Sequence, residues 1–432
     1  MASELTTTST TSPRAHAWLV VGLMMAIAGI SHFNRISIST AGQASIMPGY
    51  GISPERMGWV YSAFLFTYTA LMVPGGWVID RVGAKRALLG VLLGSALFVM
   101  LTGVVGMVAS DGETVFLSLL LIRGLMGMTS APLHPALARM TSQWAAPANR
   151  SRTNGLVNSA ALVGIAATPV LFGGMIDAFG WPRAFLAAGA ATATLAVFWA
   201  LLVSGRAPYT DRPALEDESG APTTWLDLLG DRSLILLTIS YGAVGYFQYL
   251  FFYWMNYYFE DVLRLATERS RVSIAIVSLS MALGMGLGGW LSSRFERRFG
   301  ARRGARIVPM GGLAAGAVLL GLGVSATSPE WIVLWFALAM GAVGASEGPF
   351  WAAAVELGGR RGGSSAAVLN FGGNLGGLLA PILTPWIGQR HGWPAAVAVG
   401  GLACVVGLLL WLGIETGPKA KPAKSPPPGG RK

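Results

Sequence analysis

Arg35, Arg123, Glu347 and His134 each interrupt a stretch of this chain that is otherwise largely hydrocarbon. Arg35 falls in "AIAGISHFNRISIST", Arg123 in "IRGLMG", Glu347 in "GASEGPFW" and His134 in "APLHP". An arginine keeps its charge and offers a planar fork of donors that matches a carboxylate in two parallel bonds, so a sheltered one is an anchor for an anion. Glu347 and His134 are the groups at comparable positions that can take up and release a proton. The competing readings are structural: Arg35, ~25 Å of helical rise from Trp18, snorkels to the headgroups, Glu347 caps a Gly-Pro break, and His134 is a packed, hydrogen-bonded residue. No nucleophile-base set, phosphate loop or metal-ligand cluster accompanies these four, and the glycines of "GVLLGSALFVM" lack the spacing of a phosphate cradle. The single cysteine, Cys404, can build neither an intrachain disulfide nor a thiolate zinc site. The expectation is a protein that is not an enzyme and needs no metal or cofactor.

Placing Arg35 on a helix sharpens its reading. At about 100° per residue, Ala28, Ser31, His32, Arg35, Ser39, Gly42 and Gln43 fall within roughly one third of the circumference, while Leu23, Ile27, Ile30 and Ile38 lie outside it. A charge facing lipid costs from about 2.5 kcal/mol upward, so this polar stripe belongs inside the protein, against a cavity or pathway. Asn34 and Ser39 accompany Arg35 as candidate substrate contacts. The aromatic run "YGAVGYFQYLFFYWMNYYF" adds Tyr246, Tyr249 and Tyr253 as contacts or as a gate, although most of its rings must simply pack.

The elements that hold these residues are membrane spans. Of 432 residues, 53% are hydrophobic and 12% charged, with 58 glycines and a mean hydropathy of +0.56. A soluble domain carries about 25% charged residues, so this chain is a polytopic membrane protein. The opening "MASELTTTSTTSPRAHAW" lacks the parts of a secretory signal, leaving the first span to direct insertion. Crossing ~30 Å of hydrocarbon takes ~20 apolar residues. Cutting at glycine and charge predicts twelve spans, near 16–40, 57–79, 86–109, 115–141, 154–178, 184–204, 232–259, 270–292, 305–325, 330–356, 365–388 and 394–414. The longest polar stretch divides them six and six. The expected organisation is a cytoplasmic tail at 1–15, a bundle at 16–204, a linker at 205–231, a second bundle at 232–414 and a basic, proline-rich cytoplasmic tail at 415–432.

With both termini cytoplasmic, most Lys and Arg fall on the cytoplasmic side, whereas the opposite face holds Arg56, Arg183, Arg264, Arg269, Arg271 and Arg390. This bias accounts for the net charge of +11 without any nucleic acid. The two halves also repeat. "GGWVIDR" at Gly75 returns as "GGWLSSR" at Gly288, "NSAALVGIAATP" at Asn158 returns as "NFGGNLGGLLAP" at Asn370, and "GWP" occurs at Gly180 and Gly392, all at nearly one offset. Such a repeat implies two parallel, pseudo-symmetric six-helix bundles with a site between them.

The loop after the second span, "GGWVIDRVGAKR", fits G-x-x-x-D-R-x-G-x-[KR]-[KR] through Gly76, Asp80, Arg81, Gly83, Lys85 and Arg86. It resembles the loop signature of the major facilitator superfamily, in which glycines permit close approach and the acid caps or pairs at the bundle interface. A finer resemblance, carried by "FNRISIS", "RGLMGMTSAPLHP", "GPFWAAAVEL" and "NFGGNLGGLLAPIL", is to the anion:cation symporter family of sugar-acid and organic-anion transporters. That resemblance implies that Arg35 meets the substrate carboxylate, that Tyr68, Trp351 and Asn374 are further contacts, and that Arg123 is a structural or coupling arginine. Proton-coupled members carry an acid before the first-helix arginine and another in the fourth helix. Here Asn34 and Ser130 stand in those places, and neither titrates. Glu347 with His134 is the expected replacement.

The expectation is an all-α integral membrane protein that takes up a small organic anion, of monocarboxylate, aldonate or uronate type, together with protons by alternating access. The rival readings are a drug or metabolite exporter and a non-transporting sensor on the same fold. The partners implied are the anion, protons and the lipid bilayer, with the protein working as a monomer in a bacterial inner membrane.

Overall fold

In hydrocarbon every backbone N–H and C=O must be satisfied within its own segment, so long apolar runs fold as helices. The computed structural model describes residues 13–146, 149–203, 207–209, 230–358 and 362–415. Within them lie α1 (His16–Tyr50), α2 (Pro54–Ala70 continued as Pro74–Val82), α3 (Ala84–Val108), α4 (Gly112–Trp144), α5 (Arg152–Phe179) and α6 (Trp181–Leu202). The second half supplies α7 (Arg232–Val262), α8 (Thr267–Phe299), α9 (Arg302–Ser325), α10 (Pro329–Gly358), α11 (Gly362–His391) and α12 (Trp393–Leu412). Eleven are long and apolar enough to cross a membrane alone, and twelve cross when the two pieces of α2 count as one span. The expected tails at 1–15 and 415–432 and the linker at 205–231 lie almost wholly outside the described residues.

α2 departs from the single run expected at 57–79. It bends by 60° between its two pieces, at Pro74, whose ring removes one backbone bond and crowds the preceding turn. The helices also outrun the expected cuts, α1 continuing to Tyr50 through a widened turn at Gly42–Ile46.

The sequence repeat is visible in the backbone. Gly180 (φ 78°, ψ 157°) and Gly392 (φ 87°, ψ 150°) adopt the same conformation, which only glycine reaches without strain, and each is followed by Trp-Pro opening the next helix. Gly83 and Gly300 match in the same way at the α2–α3 and α8–α9 turns. These two turns define what is called the loop side below.

The repeated Asn-to-Pro segments lie on α5 and α11, where glycines bring helices into backbone contact. A Cβ on Gly164 would strike the carbonyl of Gly29 on α1, and one on Gly376 would strike the carbonyl of Gly242 on α7. In the loop motif, Gly75 rather than Gly76 makes the close approach. A Cβ on Gly75 would lie 3.2 Å from the backbone of Ala131, whereas one on Gly76 meets nothing within 4 Å.

The two bundles close on each other at the side opposite the loops. Arg390 of α11 pairs with Glu55 of α2 at 2.7 Å, and Arg271 of α8 grips Asp177 of α5 through both carboxylate oxygens. Gln43 of α1 donates to Glu260 and Asp261 of α7 at 2.9 and 3.2 Å. Deeper in, the Ser62 hydroxyl donates to the Leu378 carbonyl at 2.8 Å, and Tyr61 stacks on Tyr253 with centroids 5.0 Å apart. Beneath this roof a cavity of about 900 Å³ separates the bundles. Its lower walls come from the loop-side halves of α4, α5 and α11, including Ala138, Asn154 and Gly363, so it opens to the loop side.

Candidate functional site

The unbroken α1 carries His32, Arg35 and Ile36 onto the cavity wall, the face that the polar stripe marks. Arg35 is 7% exposed, so it does not snorkel to the headgroups. Its guanidinium carbon lies 4.9 Å from the ring centre of Phe64, 5.4 Å from Tyr68 and 5.0 Å from Tyr249, and Nη2 donates to the Tyr249 hydroxyl. Three ring faces and one hydroxyl compensate the cation in part. Nε has no partner, and among the described residues no carboxylate lies within ion-pair distance of Arg35.

Arg123 sits behind this group, 2% exposed and off the cavity wall. Its Nη2 donates to the backbone carbonyl of Arg35 at 2.8 Å, and its guanidinium carbon lies 5.0 Å from the centre of the Phe64 ring. It therefore ties α4 to α1 at the residue that brings a guanidinium to the cavity wall. The two arginines share Phe64 between them.

Asn34 and Ser39 are placed elsewhere. One residue along a helix is a turn of about 100°, which swings Asn34 off the cavity face, and its amide donates to Thr192 of α6 at 2.8 Å. Ser39 lies one turn beyond Arg35, above the cavity, with its hydroxyl on the carbonyls of Ile36 at 2.8 Å and Phe252 at 3.3 Å. Both side chains are fully buried with no opening to the cavity. Of the other tyrosines, Tyr253 belongs to the roof, and Tyr246 meets Thr384 of α11 at 3.4 Å away from the cavity.

The opposite wall holds Glu347, 5% exposed. Its carboxylate does not cap the Gly-Pro step of α10. One oxygen accepts from the Tyr241 hydroxyl at 2.7 Å and the other from the Gln248 amide, both on α7. The indole of Trp351 in turn donates to the Tyr241 oxygen at 3.0 Å. Tyr68, Trp351 and Asn374 all line the cavity, and the Asn374 amide donates to the Asn370 carbonyl one turn back at 2.9 Å. His134 lines it too, edge-on to His32. The loop-motif acid Asp80 pairs with Arg139 of α4 at 2.7 Å, within its own bundle, while Arg81 and Arg86 are exposed on the loop side.

The Major Facilitator Superfamily profile matches residues 24–366 and 297–431. The chain belongs to this superfamily. A solved superfamily-fold structure, an inward-facing, unoccupied bacterial homologue of the human lysosomal transporter Spinster, aligns over 94% of this chain and 99% of its own with a TM-score of 0.77 at 16% identity. Among curated relatives, the probable sulfoacetate transporter SauU of Cupriavidus necator is 24% identical over 87% of this chain and 88% of its own length. The probable galactarate/D-glucarate transporter GudP of Bacillus subtilis is 30% identical over 42% of this chain and 39% of its own. These relatives carry the anion:cation symporter-type likeness, and the protein is a membrane transporter of the superfamily rather than an enzyme.

Several cavity residues have no counterpart among the sequence candidates: His32, Tyr241, Gln248, Asn158 and Asn370. Signals for most of them exist. His32 stands in the polar stripe, and Asn158 and Asn370 each begin a copy of the repeated segment, so the two asparagines face each other's bundle from equivalent places.

Proposed function

We propose that this transporter carries a small organic anion whose carboxylate is held by Arg35, by exposing the central cavity alternately to the two sides of the membrane. The observation that carries this reading is a buried guanidinium on the cavity wall that, among the described residues, has no carboxylate within ion-pair distance. Burying an unpaired cation is costly, and an anionic guest supplies the missing charge and acceptors. The names of relatives that carry sulfoacetate and sugar acids support the same substrate class. Tyr68 and Tyr249 flank the anchored group, and Trp351 and Asn374 read the hydroxyl-bearing body of a monocarboxylate, aldonate or uronate. Asn34 and Ser39, already committed to protein partners, drop out of the set.

Transport is coupled uptake with protons, Glu347 serving as proton carrier together with His134. The bias of Lys and Arg toward the loop side supports cytoplasmic termini and an inward-open state, and in this reading the protein works as a monomer in a bacterial inner membrane. Arg35→Gln should weaken stabilisation of the purified protein by organic acids at least about 30-fold in apparent affinity, the worth of a charge-assisted bond pair. Equal stabilisation of both proteins refutes the anchor. Glu347→Gln should abolish accumulation of a monoacid driven by a pH gradient while exchange of substrate across the membrane continues; unchanged gradient-driven accumulation refutes its role.

A further inference from the structure

His32 and His134 come from helices α1 and α4, and no role in the anchor or in the Glu347 network uses them as a pair. Their rings stand 5.3 Å apart at 69°, edge to face, and both line the cavity. His32 Nδ1 lies 3.0 Å from the Ala28 carbonyl, which can only accept. The proton of the neutral ring therefore sits on Nδ1, leaving Nε2 as an acceptor with nothing to donate. His32 precedes Arg35 by three residues, about 4.5 Å of rise, on the same face and toward the loop-side mouth. An elongated anion seated on Arg35 and pointing toward the mouth meets this pair next.

We propose that His32 and His134 form a second anion subsite that takes up a proton together with the far acidic group of the substrate, so that the preferred cargo is a small diacid spanning Arg35 and the imidazole pair. This rests on Arg35 being the anion anchor. Neutral His32, its one N–H committed to the Ala28 carbonyl, gives a second carboxylate no donor, whereas proton uptake at Nε2 turns its ring into a donor on both sides. The charged and titratable groups around the pair are Arg35 on α1, Tyr68 on α2, Arg123 on α4, Tyr241 and Tyr249 on α7 and Glu347 across the cavity. Beside it, α5 offers only the neutral amides of Asn154 and Asn158. On the described wall of its own bundle no carboxylate balances an imidazolium, so the countercharge must arrive with the cargo. A monoacid satisfies Arg35 and leaves the pair idle.

The test is calorimetric binding of four- to six-carbon aldarates and of the matching aldonates to the purified full chain. Buffers of different ionisation heat across about pH 5.5 to 7.5 count the protons taken up. Aldarates should bind more tightly than aldonates, with uptake of one proton and an affinity that rises up to about tenfold per unit fall in pH. His32→Gln and His134→Gln should each cost the aldarate at least about tenfold more than the aldonate and remove the proton uptake. His134→Lys, which restores a permanent donor, should regain aldarate preference without pH dependence. Equal binding of the two acid classes by the wild type overturns the subsite, as does an equal loss for both in the histidine variants at unchanged melting temperature. Both results leave Arg35 standing. If Arg35→Gln binds both classes as the wild type does, the anchor itself falls.

Discussion

Arg35 is held by aromatic faces and a phenol rather than by an acid, and its neighbours should respond to substitution accordingly. The Tyr249 hydroxyl accepts from Nη2 and keeps its own proton to donate onward. Tyr249→Phe should therefore weaken anion binding by about fivefold, roughly 1 kcal/mol, with little change in melting temperature. Tighter binding would mean that the phenol competes with the substrate instead. Arg35→Lys should lose nearly as much affinity as Arg35→Gln, because a point charge cannot reproduce a fork seated among three rings. At this scale the sequence discloses residues whose type clashes with their surroundings. Arg35, Glu347 and His134 stand out because ionisable groups are rare in hydrocarbon, and all three reach the cavity wall. Neighbourhood in the chain is a poorer guide. Asn34 adjoins Arg35 yet faces α6, whereas His32 meets a partner on another helix that no local pattern announces.

Helices pack here through glycine, and the positions differ sharply in what they tolerate. Gly376→Ala would push a methyl into the Gly242 carbonyl and force α7 and α11 apart, an overpacking cost of about 1 to 3 kcal/mol. Gly76→Ala meets open space and gains helix propensity, so its stability should hold or rise by up to about 1 kcal/mol. Melting temperatures of the two purified variants would separate these outcomes, and equal effects would contradict the packing described. Span number and the halving of the chain are readable from length and hydropathy because hydrocarbon thickness dictates them. The repeat is readable too, and its glycines recur with matching backbone angles at Gly180 and Gly392. Helix ends and the break at Pro74 are not, since polar turns extend a helix beyond the lipid and a proline kinks only where its neighbours leave room.

For the molecule as a whole, the ion pairs that join the bundles among the described residues lie on the side away from the loops. Asp177→Asn, which removes the acid gripped by Arg271, should favour opening of that side. The pair is partly exposed, so the shift is about 1 kcal/mol, or roughly fivefold in population. Cys404 is buried, so alkylation of a cysteine introduced at Asn154 on the cavity wall reports the state directly. Labelling from the loop side should slow in the Asp177→Asn background, and an unchanged rate would show that the pair does not hold the closure. The arginines that share Phe64 have one more effect. In the proposed alternating-access cycle, whichever mouth is open, the transmembrane voltage drops mainly across the sealed half of the protein, so rocking the bundles carries those two guanidinium charges through the field even though neither moves far. At about 2.3 kcal/mol per charge for each 100 mV, the return of the empty carrier is an electrical event, and a bound anion cancels part of it.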